Sequence, residues 1–220
     1  MADCNKLVPI IIRWEAGVLH KFPDGSIDYY SRPNEVLFEE ARKKGYGNDP
    51  ADAGGPTMVG VILDTYKAYC REKGKPTPTI QDLKNIQYEE WFEIFKTRFW
   101  DRVKADQIKN QSIANLCVNT IWGSGPGYIK IIQAVLGCKQ DGIVGPVTLG
   151  KINGWQPQEE LFDKLWARRK KFFENAVASS IAAYERKIGR KATERELMTR
   201  TNKRFINGWM NRLNSFKFEE

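Results

Sequence analysis

The chain has few of the residues that metal binding or histidine-based catalysis requires. Its 220 residues include a single histidine, His20, and four cysteines, at positions 4, 70, 117 and 138. One histidine argues against a catalytic triad unless His20 itself serves, and no Gly-x-Ser-x-Gly elbow is present. The cysteines lack the close paired spacing of a zinc site or a disulfide framework. We therefore predict reduced thiols, no metal and no cofactor.

Long apolar runs are also missing. No segment approaches the roughly 20 residues that span a bilayer, so we predict no membrane insertion. The first residues, Met1–Lys6, include an acid where a signal peptide needs positive charge. The apolar stretch Leu7–Ile12 is short and is interrupted by Pro9. No cleavable export signal is therefore predicted.

Basic residues outnumber acidic ones, which gives a formal net charge of +8. This charge favours anionic partners, among them nucleic acids, acidic membranes and anionic wall polymers. The densest basic run, Ala167–Lys171, is interpreted as the solvated face of a helix. Since no nucleic-acid-binding module is recognisable, the sequence predicts no specific nucleic-acid partner.

Apolar residues recur at helical spacing, and no sustained alternating pattern occurs, so the fold class is predicted to be mainly α. The first such stripe, from Leu7 to Trp14, stops at Gly17 and predicts a helix over residues 5–16 with Glu15 at its end. A small hairpin is expected within residues 18–34. Further helices are predicted at 35–44, 59–73, 88–103, 128–136 and 158–184, after a Ser112 cap, around 205–213, and with Pro146 at the first position of another.

The segment Gly45–Thr57 is rich in turn-forming residues. Pro50 and Pro56 disfavour regular structure, and the Gly54-Gly55 pair permits positive φ angles. We therefore expect a loop without a regular helix or strand. Such a loop, which presents short polar side chains, is a candidate functional site. The side chains it presents are Asn48, Asp49, Asp52 and Thr57.

Two groups of motifs resemble a known enzyme family. Trp14-Glu15-Ala16-Gly17 and the segment Gly45–Gly60 are similar to the helix-end and Asn-Asp-Pro motifs of glycoside hydrolase family 108, which includes bacterial and phage N-acetylmuramidases. Later motifs look like the helical peptidoglycan-binding module that accompanies that family. These are Thr77-Pro78-Thr79, Phe99-Trp100-Asp101, Gly123–Gly127, Asp141–Leu149 and Asn207–Arg212.

The resemblance implies a lysozyme-like catalytic domain over residues 5–104 and a peptidoglycan-binding-type module over residues 105–220. It implies cleavage of the β-1,4 bond between N-acetylmuramic acid and N-acetylglucosamine, with Glu15 as the general acid. Glu15 would lie at a helix C-terminus beside Trp14, where the charged form is disfavoured. Asp52 and Thr57 would steady the developing charge or activate water. Candidate sugar contacts are Tyr46, Asn48, Asp49, Trp122 and Tyr128.

The chain departs from the family pattern in two places. Residues 18–44 are inserted between the glutamate and the Asn-Asp-Pro motif, which makes Glu39 and Glu40 rival acids. Asn119 stands where the family more often has aspartate. A lytic transglycosylase, or a wall-binding or secretion-assisting protein without catalysis, stays open as an alternative. The expected partner is the peptidoglycan glycan strand, met at the cell wall or periplasm after release or non-classical export, and oligomeric state is not predicted.

Overall fold

The computed structural model describes residues 1–48 and 55–219, and these residues are mainly α-helical, as predicted. The chain divides into two compact units. The first spans Asp3–Asp106, and the second combines Gln107–Glu220 with Met1–Ala2. None of the helices in the described part of the chain combines the length and the apolar character that a bilayer crossing requires.

The first unit combines five α-helices with two small antiparallel sheets among its described residues. Its last helix, Tyr88–Phe95, continues into a π-type turn, Lys96–Trp100, and a 3-10 turn, Asp101–Val103. The elements are α1 (Val8–Ala16), β1 (His20–Lys21), β2 (Ile27–Asp28), α2 (Asn34–Arg42), β3 (Tyr46–Gly47), β4 (Thr57–Met58), β5 (Val61–Ile62), α3 (Leu63–Glu72), α4 (Ile80–Lys84) and α5 (Tyr88–Phe95).

Helix α1 ends where the sequence predicts. Gly17 adopts φ +64° and donates its backbone N–H to the Arg13 carbonyl, which closes the helix with a left-handed residue. The start is later than predicted, because residues Cys4–Lys6 form a separate 3-10 turn capped by the Asp3 carboxylate. The hairpin expected within residues 18–34 is confirmed by the pairing of β1 with β2.

Two predictions around the 45–57 segment are wrong. Both described ends of the segment are strands, since Tyr46 pairs with Met58 and Gly47 pairs with Thr57. Residues 59–62, predicted as the start of a helix, instead form a two-residue turn and strand β5, which pairs with β4. Val59 and Gly60 both adopt positive φ angles, as a tight hairpin turn requires.

The core of the first unit is aromatic. Trp91 and Phe95 of α5 are fully buried and stack at 5.6 Å, as the apolar stripe of that helix predicts. Phe38 of α2 packs against Trp91 at 5.3 Å. The Trp91 indole N–H donates to the Val59 carbonyl at 2.9 Å, so the core also holds the β4–β5 turn. This buried bond ties the small sheet to α5.

The second unit is built around a buried helix, α6 (Gln111–Ser124). Asn110 caps this helix, whereas Ser112, the predicted cap, is buried inside its first turn. Pro146 occupies the first position of the helix Pro146–Gly154, as predicted. The remaining helices are α7 (Ile129–Val135), α8 (Pro146–Gly154), α9 (Gln158–Ile188), α10 (Glu194–Arg200) and α11 (Ile206–Asn214).

All four cysteines are free thiols in the structure. Cys4, Cys70 and Cys117 are buried, and Cys138 is partly exposed. Burial raises the pKa of the Cys117 thiol to about 12, so this group stays protonated and unreactive at neutral pH.

Candidate active site

Glu15 is half-buried, one residue before the end of α1. The side chain of Arg13 lies over the Trp14 ring at 4.9 Å and over the Tyr29 ring at 5.7 Å, and it donates to the Tyr29 hydroxyl. The inserted segment therefore folds back onto α1 instead of extending away from it.

Gly45 joins the end of the inserted segment to α1. Its backbone packs so closely that an added Cβ would lie 3.2 Å from the Ala16 Cβ, 2.8 Å from the Ala41 carbonyl oxygen and 2.9 Å from a Val59 methyl carbon. Only glycine fits this position without displacing a neighbour. The chain thus returns to the end of α1, next to Glu15, as it enters β3.

Thr57 lies on the strand paired with β3. An added Cβ at Gly47 would lie 3.2 Å from the Thr57 hydroxyl oxygen, so this hydroxyl faces the Gly47 backbone. Tyr46 is on β3, and the Lys84 ammonium nitrogen lies 4.2 Å from the centre of its ring. The structure therefore groups Tyr46 and Thr57 on one small sheet whose first strand begins beside the end of α1.

Two carboxylates of the predicted site lie outside the described residues. These are Asp49 and Asp52, so their roles stay predictions. Asn48 is the last described residue before them, and its side chain is exposed to solvent.

The rival acids on α2 have local partners. Glu40 accepts a hydrogen bond from, or ion-pairs with, the His20 ring nitrogen Nε2 at 2.9 Å, which ties α2 to the hairpin. Glu39 pairs with Arg42 at 2.6 Å. Both carboxylates therefore have a structural role, since each pairs with a basic side chain within the inserted segment.

Glu90 and Glu93 on α5 are held in the ionised form. Burial raises the pKa of Glu90, but hydrogen bonds from Lys75 and Tyr66 outweigh that effect and bring it below its ordinary value. Hydrogen bonds from Lys73 and Tyr69 lower the pKa of Glu93. Neither group suits a general acid, which must carry a proton near neutral pH.

Trp122 and Tyr128, the predicted stacking residues, belong to the second unit. Tyr128 is only 4% exposed. Its ring packs edge-on against Phe172 at 5.1 Å and lies 4.9 Å from the Arg169 guanidinium carbon. The prediction that Tyr128 stacks on a sugar is not supported, because its ring is covered. Trp122 is partly exposed, and its role stays a prediction.

Sequence reasoning missed three side chains beside the site: Arg13, Tyr29 and Lys84. Arg13 lies two residues before Glu15 on α1, and residues at that spacing do not share a helix face, so helical periodicity gave no signal for it. The contacts of Tyr29 and Lys84 arise from the fold of the insertion and of α4, which no local pattern encodes.

Comparisons with known proteins agree with this architecture. Residues 34–125 match the family model described as Glycosyl hydrolase 108, and residues 128–214 match the model described as Predicted Peptidoglycan domain. The first match begins after Glu15 and includes Glu39 and Glu40. No curated protein sequence matches the chain.

A solved structure, that of Brucella abortus SagA, is similar at a TM-score of 0.59 and 21% sequence identity. The similarity covers 82% of this chain and 91% of the SagA chain. This likeness shows the fold.

Proposed function

Because the chain belongs to the glycosyl hydrolase 108 family and is a peptidoglycan hydrolase, we propose that it cleaves the β-1,4 bond between N-acetylmuramic acid and N-acetylglucosamine, with Glu15 as the general acid. The predicted peptidoglycan domain over residues 128–214 supports peptidoglycan as the substrate partner.

The close packing of Gly45 against Ala16 is the observation that carries the assignment of Glu15. Helix α1 lies outside the matched segment, and residues 18–44 separate it from the Asn-Asp-Pro motif. The contact supports the assignment despite this separation, because it brings the end of α1 to the first strand of the sheet that bears Tyr46 and Thr57.

The chemistry requires two groups on the scissile bond. A glycosidic oxygen is a poor leaving group until it is protonated, and this is the proposed role of the Glu15 carboxyl group. The opposite face needs a group that activates water or stabilises the oxocarbenium-like charge. We assign this role to Asp52 with the Thr57 hydroxyl, and contacts with the sugar hydroxyls to Asn48, Asp49 and Tyr46.

Replacement of Glu15 by glutamine tests the proposal. The Glu15→Gln variant keeps the shape of the side chain but cannot donate a proton, so the release of new reducing ends from purified peptidoglycan should fall about 10²- to 10⁴-fold. Glu40→Gln is the matched control, since it removes a carboxylate that already pairs with His20. Retention of wild-type activity by Glu15→Gln, or its loss in Glu40→Gln alone, would contradict the assignment.

The mass of the released fragments separates hydrolysis from intramolecular transglycosylation. Hydrolysis adds water and leaves a reducing N-acetylmuramic acid end, whereas transglycosylation leaves an anhydro end lighter by one water. We expect the hydrated product, since Asp52 provides a second carboxylate. Anhydro fragments alone would instead assign the chain to the lytic transglycosylases.

We further propose that the enzyme acts at the cell wall or in the periplasm, after cell lysis or non-classical export. The location of the substrate, peptidoglycan, motivates this proposal. Fractionation of producing cells before and after lysis checks it, and a protein that never associates with the wall or periplasmic fraction would contradict it.

A further inference from the structure

The second unit contains a pocket of about 280 Å³ that the proposed cleavage chemistry does not use. It combines residues from α6 with residues from α9 and α11, and so it joins parts of both matched segments. Its lining residues are Asn119, Gly123, Ser124, Arg169, Phe172, Phe173, Trp209, Arg212 and Leu213.

Arg169 is the central cation of this pocket, although the sequence places it in a run of basic residues interpreted as a solvated helix face. Arg169 is only 3% exposed, so that interpretation is wrong for this residue. Its Nη1 donates to the Ser124 hydroxyl at 2.7 Å, and its guanidinium carbon lies 4.4 Å from the centre of the Phe173 ring. Gly123 gives it room, because an added Cβ there would lie 3.2 Å from Nη2. The guanidinium is therefore held in one orientation.

This buried cation is incompletely compensated. Its Nε has no hydrogen-bond partner, and it forms no ion pair with any carboxylate of the described residues. Burial lowers the pKa of Arg169 to about 10, with nearby Arg212 acting in the same direction, so Arg169 still carries its charge at pH 7. A buried charge without a counter-charge is costly, and an anionic ligand would relieve that cost.

A second arginine, Arg212, lines the pocket. Arg212 donates from Nε to the side-chain oxygen of Asn119 at 2.8 Å. Asn119 is 4% exposed, and because its amide is neutral it orients Arg212 without cancelling its charge. Two arginines thus line one pocket, and guanidinium groups favour the paired oxygens of a carboxylate.

The remaining wall is aromatic. Trp209 stacks on Phe173 at 5.1 Å and on Phe205 at 5.8 Å, and it is partly exposed at the pocket. A flat apolar surface beside the two cations suits a ligand with an aliphatic or amide portion next to its acid group. The pocket therefore fits the end of a short peptide better than an isolated inorganic anion.

We propose that this pocket binds a free carboxylate on the peptide stems of peptidoglycan, between Arg169 and Arg212, with Trp209 against the adjoining peptide. This inference rests on the proposed function, in which peptidoglycan is the substrate. The acetylated sugars carry no charge of their own once the lactyl acid is joined to a peptide. The acid groups that remain for recognition in the wall polymer lie on the stems.

Binding of the full chain to purified sacculi tests the inference. The Glu15→Gln substitution is present throughout, so that the wall is not degraded during the measurement. Sacculi are compared before and after carbodiimide amidation of their carboxylates. In this background, Arg169→Met removes the buried cation, and Lys170→Gln, which removes an exposed cation one residue away, is the control with the same net charge.

A second substitution does not depend on the removal of the arginine. Asn119→Asp is close to isosteric and supplies an internal carboxylate to Arg212, so it should compete with the ligand while it stabilises the fold. A rise in the thermal midpoint together with weaker binding would distinguish this competition from unfolding.

We expect Arg169→Met and Asn119→Asp each to weaken binding to native sacculi about tenfold or more, since a hydrogen bond to a charged group is lost. Lys170→Gln should bind like its parent, and amidated sacculi should no longer distinguish the variants. Parental affinity in both pocket variants, or unchanged discrimination on amidated sacculi, would overturn the inference. The proposed function fails separately, if the wild-type chain releases no reducing ends from native sacculi.

Discussion

Substitution of Gly45 by alanine tests the contact on which the candidate site depends. The new methyl group would lie 2.8 Å from the Ala41 carbonyl oxygen and 2.9 Å from a Val59 methyl carbon, both closer than atoms normally approach. Neither neighbour is the free end of a flexible chain, since one is backbone and the other is a fully buried valine. The strain must therefore move the start of β3 away from α2 or from the β4–β5 turn, and so change how it meets the end of α1.

Overpacking of this kind costs about 1–3 kcal/mol. At about 2–4 °C per kcal/mol for a chain of this size, the thermal midpoint should fall by roughly 2–12 °C. Below the transition, hydrolysis should fall further than stability alone explains, because a displacement of about 1 Å between catalytic groups can cost about 10²-fold in rate. Circular dichroism gives the midpoint, and the release of reducing ends at 25 °C gives the rate.

Alanine substitutions at two other glycines serve as controls for this measurement. Gly127→Ala meets no atom within 4 Å and should change neither quantity. Gly47→Ala meets only the Thr57 hydroxyl oxygen, at 3.2 Å, so it should lower the rate with a smaller effect on the midpoint. If Gly45→Ala behaves like Gly127→Ala, the end of α1 does not abut β3, and the assignment of Glu15 loses its structural support.

Two further substitutions report on other parts of the fold. Trp91→Phe removes the buried indole bond to the Val59 carbonyl and should cost about 1–3 kcal/mol, measured by denaturant unfolding; an unchanged free energy of unfolding would contradict this. Hydrogen bonds from Arg190 lower the pKa of Glu196 from 4.5 to about 2. The stabilisation by Glu196 is therefore full above pH 4.5 and is lost as the pH falls towards 2. The difference in thermal midpoint between wild type and Glu196→Gln should shrink over that range, and a constant difference would refute the linkage.

Local patterns predicted the elements that depend on nearby residues. The stripe ending in Trp14 and the stop at Gly17 predicted the end of α1, and Pro146 predicted the start of α8. The hairpin in residues 18–34 followed from its turn residues. In each case the physical cause lies within a few positions of the effect, so a single sequence contains it.

Features that depend on distant residues were missed. The Val59-Gly60 turn lacks the usual asparagine or aspartate, and Val59 holds its positive φ angle because the Trp91 indole binds its carbonyl 32 positions away. Arg169 lies in a basic run, but its burial depends on space beside Gly123. Of the predicted catalytic set, Glu15 and Thr57 lie in the described structure, whereas Asp52 does not.

Because helix α6 is buried, it limits the positions at which this chain could recombine with another protein. The first family match ends at residue 125, so it includes α6, yet α6 packs against α9 of the following segment. A fragment that ends at residue 125 would contain the apolar helix α6 without helix α9, which packs against it. Recombination that preserves both cores must cross near Asp106, where the compact units divide. The compact units, and not the matched segments, are therefore the parts that could be exchanged without exposing α6.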